Sequence, residues 1–155
     1  MTTERIGKDF HDSSDYFENQ GTVHLNDHDS PFQRYRIQKV RDIHVPGPDD
    51  RVIDLGCGWG TFGFALASDV AEITGVDFSE RSIAICEERL TEQPTDNLRF
   101  LCVDAGATGL QSDSFDLVLA ADLFEHIYPE DSQRIAAEAY RILAPGGRFT
   151  TWTPH

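Results

Sequence analysis

The sequence predicts a doubly wound α/β fold, a parallel sheet sandwiched by helices, and three observations predict it. Apolar, β-branched runs alternate with stretches of helical length, the order that right-handed β-α-β crossovers require. Glycines crowd the turn after the first run, in VIDLGCGWGTFGFAL (52–66). Acids stand at the ends of successive runs, at Asp54, Asp77 and Asp104, where sheets of this kind take their ligands.

Each element has its own signal. Residues 1–30 are polar, and HLNDHDS reads as irregular structure. Ser30-Pro31 supplies an N-cap followed by proline at the first helical position, so a helix is predicted over FQRYRIQKVRDI, ended by VPGPDD. RVIDL is a strand and GTFGFALAS a helix; EITGVD is the second strand. Ser79 caps ERSIAICEERL, in which Ile83, Ala84 and Leu90 fall on one face. LRFLCVD and FDLVLAAD are the third and fourth strands, DSQRIAAEAYRIL a helix, Ala-Pro-Gly-Gly a turn and GRFTTW the fifth strand. Near-continuous apolar runs imply strands covered on both faces. The expected division is a lid or helical segment over 1–36 and an α/β core over 37–155. Residues 10–36 would cover the ligand, with Tyr16, Phe17 and Tyr35 packing on core or ligand.

Bulk properties exclude several classes. One domain of 155 residues buries a sizeable core. Its net charge of −14 repels phosphate backbones, so no nucleic-acid partner is expected. No apolar run is long enough to span a bilayer, and the N-terminus lacks the apolar centre of a secretory signal; a cytoplasmic protein is expected. Cys57, Cys86 and Cys102 are too few and scattered for a disulfide framework or zinc motif, and read as small buried side chains. His24, Asp27, His28 and Asp29 could be grouped as a metal site, but no scaffold around them is legible; no metal is assigned.

The glycine turn admits two ligands. Gly58-Trp-Gly60-Thr-Phe-Gly63 fits G-x-G-x-x-G, and Asp77 lies at the distance of a dinucleotide's ribose acid, which keeps an NAD(P)-dependent oxidoreductase as an alternative. Gly56 already opens the turn, however, and Asp54 stands where a pyrophosphate would lie. A carboxylate there opposes anion binding. A ligand with a cationic sulfonium and ammonium reverses the sign.

VIDLGCGWG resembles the glycine-rich motif of class I S-adenosylmethionine-dependent methyltransferases. GVDFS, CVDA, SFDLVLAADLFEHI and LAPGGRF resemble that family's later motifs in their usual order, over residues 31–153. The nearest flavour is the small-molecule methyltransferases of the ubiquinone pathway. The resemblance implies S-adenosylmethionine as cofactor, S-adenosylhomocysteine as product, and in-line methyl transfer to a small-molecule acceptor. Carried over by position, Gly56 and Gly58 would contact the methionine moiety, and Ala121 would line its side. Asp77 would hold the ribose hydroxyls, and Phe78 would pack on the adenine. Asp104 would accept from the adenine amino group, with Ala105 adding a backbone contact. Asp54 would orient the loop or contact the ligand; Trp59 would wall the site or stand exposed beside it.

His126 is the candidate catalytic base, with a structural role as the alternative. Asp122, Glu125 and His126 resemble the E-x-x-E-H cluster of polyprenyl-catechol O-methyltransferases, which leaves a divalent cation open. The same alignment puts Arg36 on the methionine carboxylate, a solvated helix arginine being the alternative. GCGWG also resembles the loop of cyclopropane fatty-acid synthases, whose remaining pattern is not evident. The usual final β-hairpin is lacking. The chain is therefore expected to be C-terminally incomplete, or to have a homodimer mate or another partner covering strand five. A non-catalytic S-adenosylmethionine-binding module acting with a partner is the other alternative.

Overall fold

Residues 29–153 are described by the structure, a computed structural model. Ser30 caps α1 (Pro31–Ile43), its hydroxyl accepting from Gln33 N–H at 3.2 Å. β1 (Arg51–Leu55) runs into the glycine turn and α2 (Thr61–Leu66), followed by a 3-10 turn. β2 (Glu72–Asp77) leads to α3 (Glu80–Glu92), capped by Ser79 as its sequence predicts. β3 (Leu98–Cys102), β4 (Phe115–Ala121), α4 (Pro129–Ile142) and β5 (Leu143–Trp152) complete it.

The strands are all parallel, in the order β3-β2-β1-β4-β5. The winding therefore reverses between β1 and β4, which places the ligand crevice at their carboxyl ends. Alternate strand residues serve opposite faces, as a period of two demands. Val52, Ile73, Leu117 and Leu119 join Phe62, Leu66, Ile83 and Cys86 in one core. Ile53, Leu55, Val76 and Val118 join Ile135, Ala139 and Ile142 in the other. α1 passes through positions 36 and 37 without a break and places Val40 in the first core.

Several expectations are corrected. Cys57 and Cys86 are buried, but Cys102 is exposed, because β3 lies at the sheet edge and has an incompletely covered face. β5, the other edge, is likewise largely uncovered. The buried face of α3 carries Ser82, Ile83 and Cys86, with Leu90 packed beside it; Ala84 points to solvent. β5 begins at Leu143, ahead of the Ala-Pro-Gly-Gly stretch, because Leu143 pairs with Phe115 before an irregularity in the ladder. Tyr35 does not pack on the core: it is exposed, with Lys39 over its ring at 5.4 Å. Tyr16, Phe17, His24, Asp27 and His28 lie outside the described residues.

Candidate ligand-binding site

The glycine turn is shaped from below. Gly56, Gly58 and Gly60 all have positive φ, conformations that side chains disfavour. Gly56 and Cys57 both donate to the carbonyl of Val76, at 2.9 Å each, tying the turn to the end of β2. Beneath it Phe100 fills the space that Gly60 and Gly75 leave: a Cβ at either position would stand 2.7 or 2.6 Å from its ring. α3 holds the turn's carbonyls. Cys86 Sγ donates to Gly58 O at 3.2 Å, and Arg89 Nη1 donates to Trp59 O. Trp59 is buried, so it does not stand exposed beside the turn. A Cβ on Gly58 would meet nothing within 4 Å, so this glycine faces open space.

Asp77 braces the same turn. Its Oδ2 accepts from Gly58 N–H at 3.0 Å and its Oδ1 from Ser79 N–H at 2.9 Å. Both oxygens of this carboxylate are thus turned toward the glycine turn and the start of α3. Phe78 follows half-buried, and Ala105 and Ala121 are buried at the ends of the neighbouring segments. Asp104 is exposed; its Oδ1 accepts from Gly106 N–H at 2.7 Å and its Oδ2 pairs with Arg134 at 2.6 Å.

The charged centre lies between β1, β4 and α1. Asp54 is 1% exposed, and neither of its oxygens has a hydrogen-bond partner among the described residues. Burial pushes its carboxyl up to about 8; Arg36 opposes the shift, while Asp77 and Asp122 add to it. Arg36 is buried, so it is not the solvated helix arginine that the sequence also allowed. Its Nη2 donates to Asp122 Oδ2, its Nη1 to Gln33 Oε1 at 2.5 Å, and its guanidinium lies 5.2 Å from the Phe62 ring centre. Its Nε is buried and has no partner among the described residues. Asp122 turns the chain after β4 with φ 56°, a conformation Asp tolerates better than most residues, while its N–H still donates to Trp152 O at 2.8 Å.

The turn after Asp122 carries Leu123, Glu125 and His126. Leu123 stands 2.9 Å from where a Cβ on Gly56 would be, so it lies over the glycine turn. His126 is exposed, its N–H donating to Leu123 O at 3.1 Å. Burial raises the Glu125 carboxyl, with His126 opposing. Among the described residues no group of three His, Cys, Asp or Glu is placed to hold a metal ion; Asp122 is paired with Arg36.

Sequence reading missed Arg134, Arg89 and the Arg36–Asp122 pair. Each joins residues 30 or more positions apart, and spacing within one element carries no trace of such contacts.

Residues 52–147 match the methyltransferase domain family. The chain is 34% identical over 98 residues to the ubiquinone biosynthesis O-methyltransferase of Coxiella burnetii, covering 63% of this chain and 41% of that protein. It thus spans less than half the length of that relative. PH0226 protein from Pyrococcus horikoshii has a similar structure, with TM-score 0.78 and 27% identity over 91% of this chain and 66% of that one. The phosphoethanolamine N-methyltransferase 2 of Haemonchus contortus, solved with S-adenosylhomocysteine, shares the fold at TM-score 0.70 and 24% identity, over 76% of this chain and 27% of that one.

Proposed function

The chain belongs to the methyltransferase domain family, and on that premise we propose that it binds S-adenosylmethionine at the carboxyl ends of β1, β2 and β3 and methylates a small-molecule acceptor. One observation carries the reading. Asp54 and Arg36 are both buried, and each keeps a polar atom with no partner among the described residues; the Asp54 carboxyl, neutral in the free protein, ionises when a cation reaches it. Leaving such atoms unmet costs about 1–3 kcal/mol each. A guest bearing both an ammonium and a carboxylate answers the two at once. A diphosphate answers only Arg36 and keeps Asp54 from ionising.

The remaining assignments carry over from the family's motifs by position. Gly58 leaves the backbone bare toward the methionine portion, Gly56 lies beside it under Leu123, and Ala121 lines it. Asp77 holds the ribose hydroxyls, with Phe78 against the base. Asp104 and Ala105 meet the adenine edge. The bound donor supplies an activated methyl group on a positive sulfur. The protein's share of the work is alignment and exclusion of water, for which Leu123 over the turn is suited. His126, exposed on the loop after β4, is the group to take a proton where the acceptor is a hydroxyl that must lose one. The strongly acidic composition favours a small acceptor over nucleic acid. Among the described residues no helix is long and apolar enough to cross a membrane, which agrees with a cytoplasmic setting. The outer edge of β5 pairs with no further strand among the described residues, and it is the edge to which a second copy, a partner or further chain would add.

Asp77→Ala tests the site. It should weaken S-adenosylhomocysteine binding by about 1–3 kcal/mol, the value of hydrogen bonds to a charged acceptor. Titration calorimetry on the full chain reads this, with thermal melting as the check on folding. Unchanged affinity in a folded variant would remove the ribose from Asp77.

A further inference from the structure

Asp104 is held from two directions. Its own turn fixes it locally: Oδ1 accepts from Gly106 N–H at 2.7 Å, and its backbone carbonyl accepts from Ala107 N–H at 2.9 Å. Across the crevice from α4, Arg134 Nη1 donates to Oδ2 at 2.6 Å. Arg134 is itself anchored, its Nη2 donating to Asp131 Oδ1 at 3.0 Å. The guanidinium lies against Gly106, where a Cβ would stand 3.0 Å from Cγ, Cζ and Nη1 of Arg134. The loop thus passes close under the arginine because residue 106 has no side chain.

The contact is not needed to dock this loop. Four residues beyond Asp104, Glu138 Oε1 accepts from Thr108 N–H at 2.9 Å and from its hydroxyl at 2.5 Å, while Arg141 clamps both oxygens of Glu138. Those hydrogen bonds hold the Glu138 carboxyl down at about 2. With the loop secured there, the distinctive consequence of Arg134 is the direction in which the Asp104 carboxylate points. An isolated exposed ion pair contributes only about 0–1 kcal/mol to stability, so orientation is the larger effect.

We propose that Arg134 is a positioning residue for the purine end of the donor, fixing Asp104 so that it accepts from a 6-amino group and discriminates against a 6-oxo purine. The inference rests on the assignment of Asp104 to the adenine edge. An ionised carboxylate only accepts, and two of its roughly four lone-pair positions are already used. Held still, the remaining ones meet an exocyclic amine and repel an oxo group. Released, the carboxylate can swing to the ring N–H that a 6-oxo purine carries, and the discrimination fades.

The experiment is calorimetric titration of S-adenosylhomocysteine and its 6-oxo analogue, S-inosylhomocysteine, into the full chain, Arg134→Ala, Arg134→Lys and Asp104→Ala. The wild type should prefer the amino form by about tenfold or more, the scale of one hydrogen bond to a charged acceptor. Arg134→Ala should cut that preference several-fold, chiefly by weakening the amino ligand, with the melting temperature nearly unchanged; Arg134→Lys should restore part of it. Equal weakening of both ligands, or an unchanged preference in Arg134→Ala while Asp104→Ala loses it, would overturn the role of Arg134 and leave Asp104 in place. Failure of the wild type to bind the amino ligand, or a preference untouched in Asp104→Ala, would instead overturn the assignment of Asp104, and the inference with it.

Discussion

Asp54→Asn is expected to change two properties in opposite directions, steadying the free protein at alkaline pH while weakening the hold on donor. The free protein keeps this carboxyl protonated up to about pH 8, because the charged form is desolvated and faces Asp77 and Asp122. The unfolded chain ionises near the ordinary aspartate value of about 3.9. Between those values the native state binds one proton more than the unfolded state. Stability therefore falls as pH rises, by about 1.4 kcal/mol per pH unit from this group alone. Asparagine copies the shape of the neutral acid and does not titrate. The variant's advantage over the wild type should grow from pH 5 to pH 8, as denaturant titrations at each pH will read. A donor ammonium reverses the preference, since the carboxylate is the better partner. Binding at pH 7 should release close to one proton in the wild type and fewer in the variant, measured from binding enthalpies in buffers of different ionisation enthalpy. The variant should also lose about 2 kcal/mol or more of donor affinity, the lower end for disrupting a buried charge pair. A pH-independent difference in stability between the two proteins would refute the protonated Asp54.

Arg36→Met should be the most damaging single change in α1. It removes the guanidinium that pairs with Asp122 and that opposes the desolvation of Asp54. One-sided loss of a buried partner costs about 3–5 kcal/mol; here about 2–3 kcal/mol is expected, because Asp122 retains 20% side-chain exposure. The methionine keeps apolar contact with Phe62, so the loss reports charge more than packing. Adding Asp122→Asn should return much of the stability, giving a coupling of about 1–2 kcal/mol in a double-mutant cycle. Asparagine suits that position because it tolerates the left-handed backbone there. Donor affinity should not return with stability, since the double variant still lacks the arginine proposed for the methionine carboxylate. Independent, additive effects of the two substitutions would contradict the pairing.

The order of strands and helices was legible because each element advertises its period, and because Ser30, Ser79 and the prolines mark helix starts. The ends of β1, β2 and β3 stood out as a candidate site because acids stand there among apolar runs. What lay hidden depended on neighbours. Whether Cys102 is covered depends on β3 being an edge strand. Whether Ala84 or Cys86 faces inward depends on the rotation of α3 against the glycine turn. The pairing of Arg36 with Asp122 spans 86 positions, and Arg134 reaches Asp104 across 30; only the folded sheet brings them together. Phe100 gives no local sign that it supports three glycines, at 60, 63 and 75.

The most direct measurement is calorimetric titration of S-adenosylhomocysteine and of NAD into the full chain at pH 7. A crevice whose buried carboxylate awaits an ammonium, beside an arginine with a donor to spare, should saturate with the first and ignore the second. Uptake of NAD without uptake of S-adenosylhomocysteine would show that the charge at the end of β1 has been read with the wrong sign.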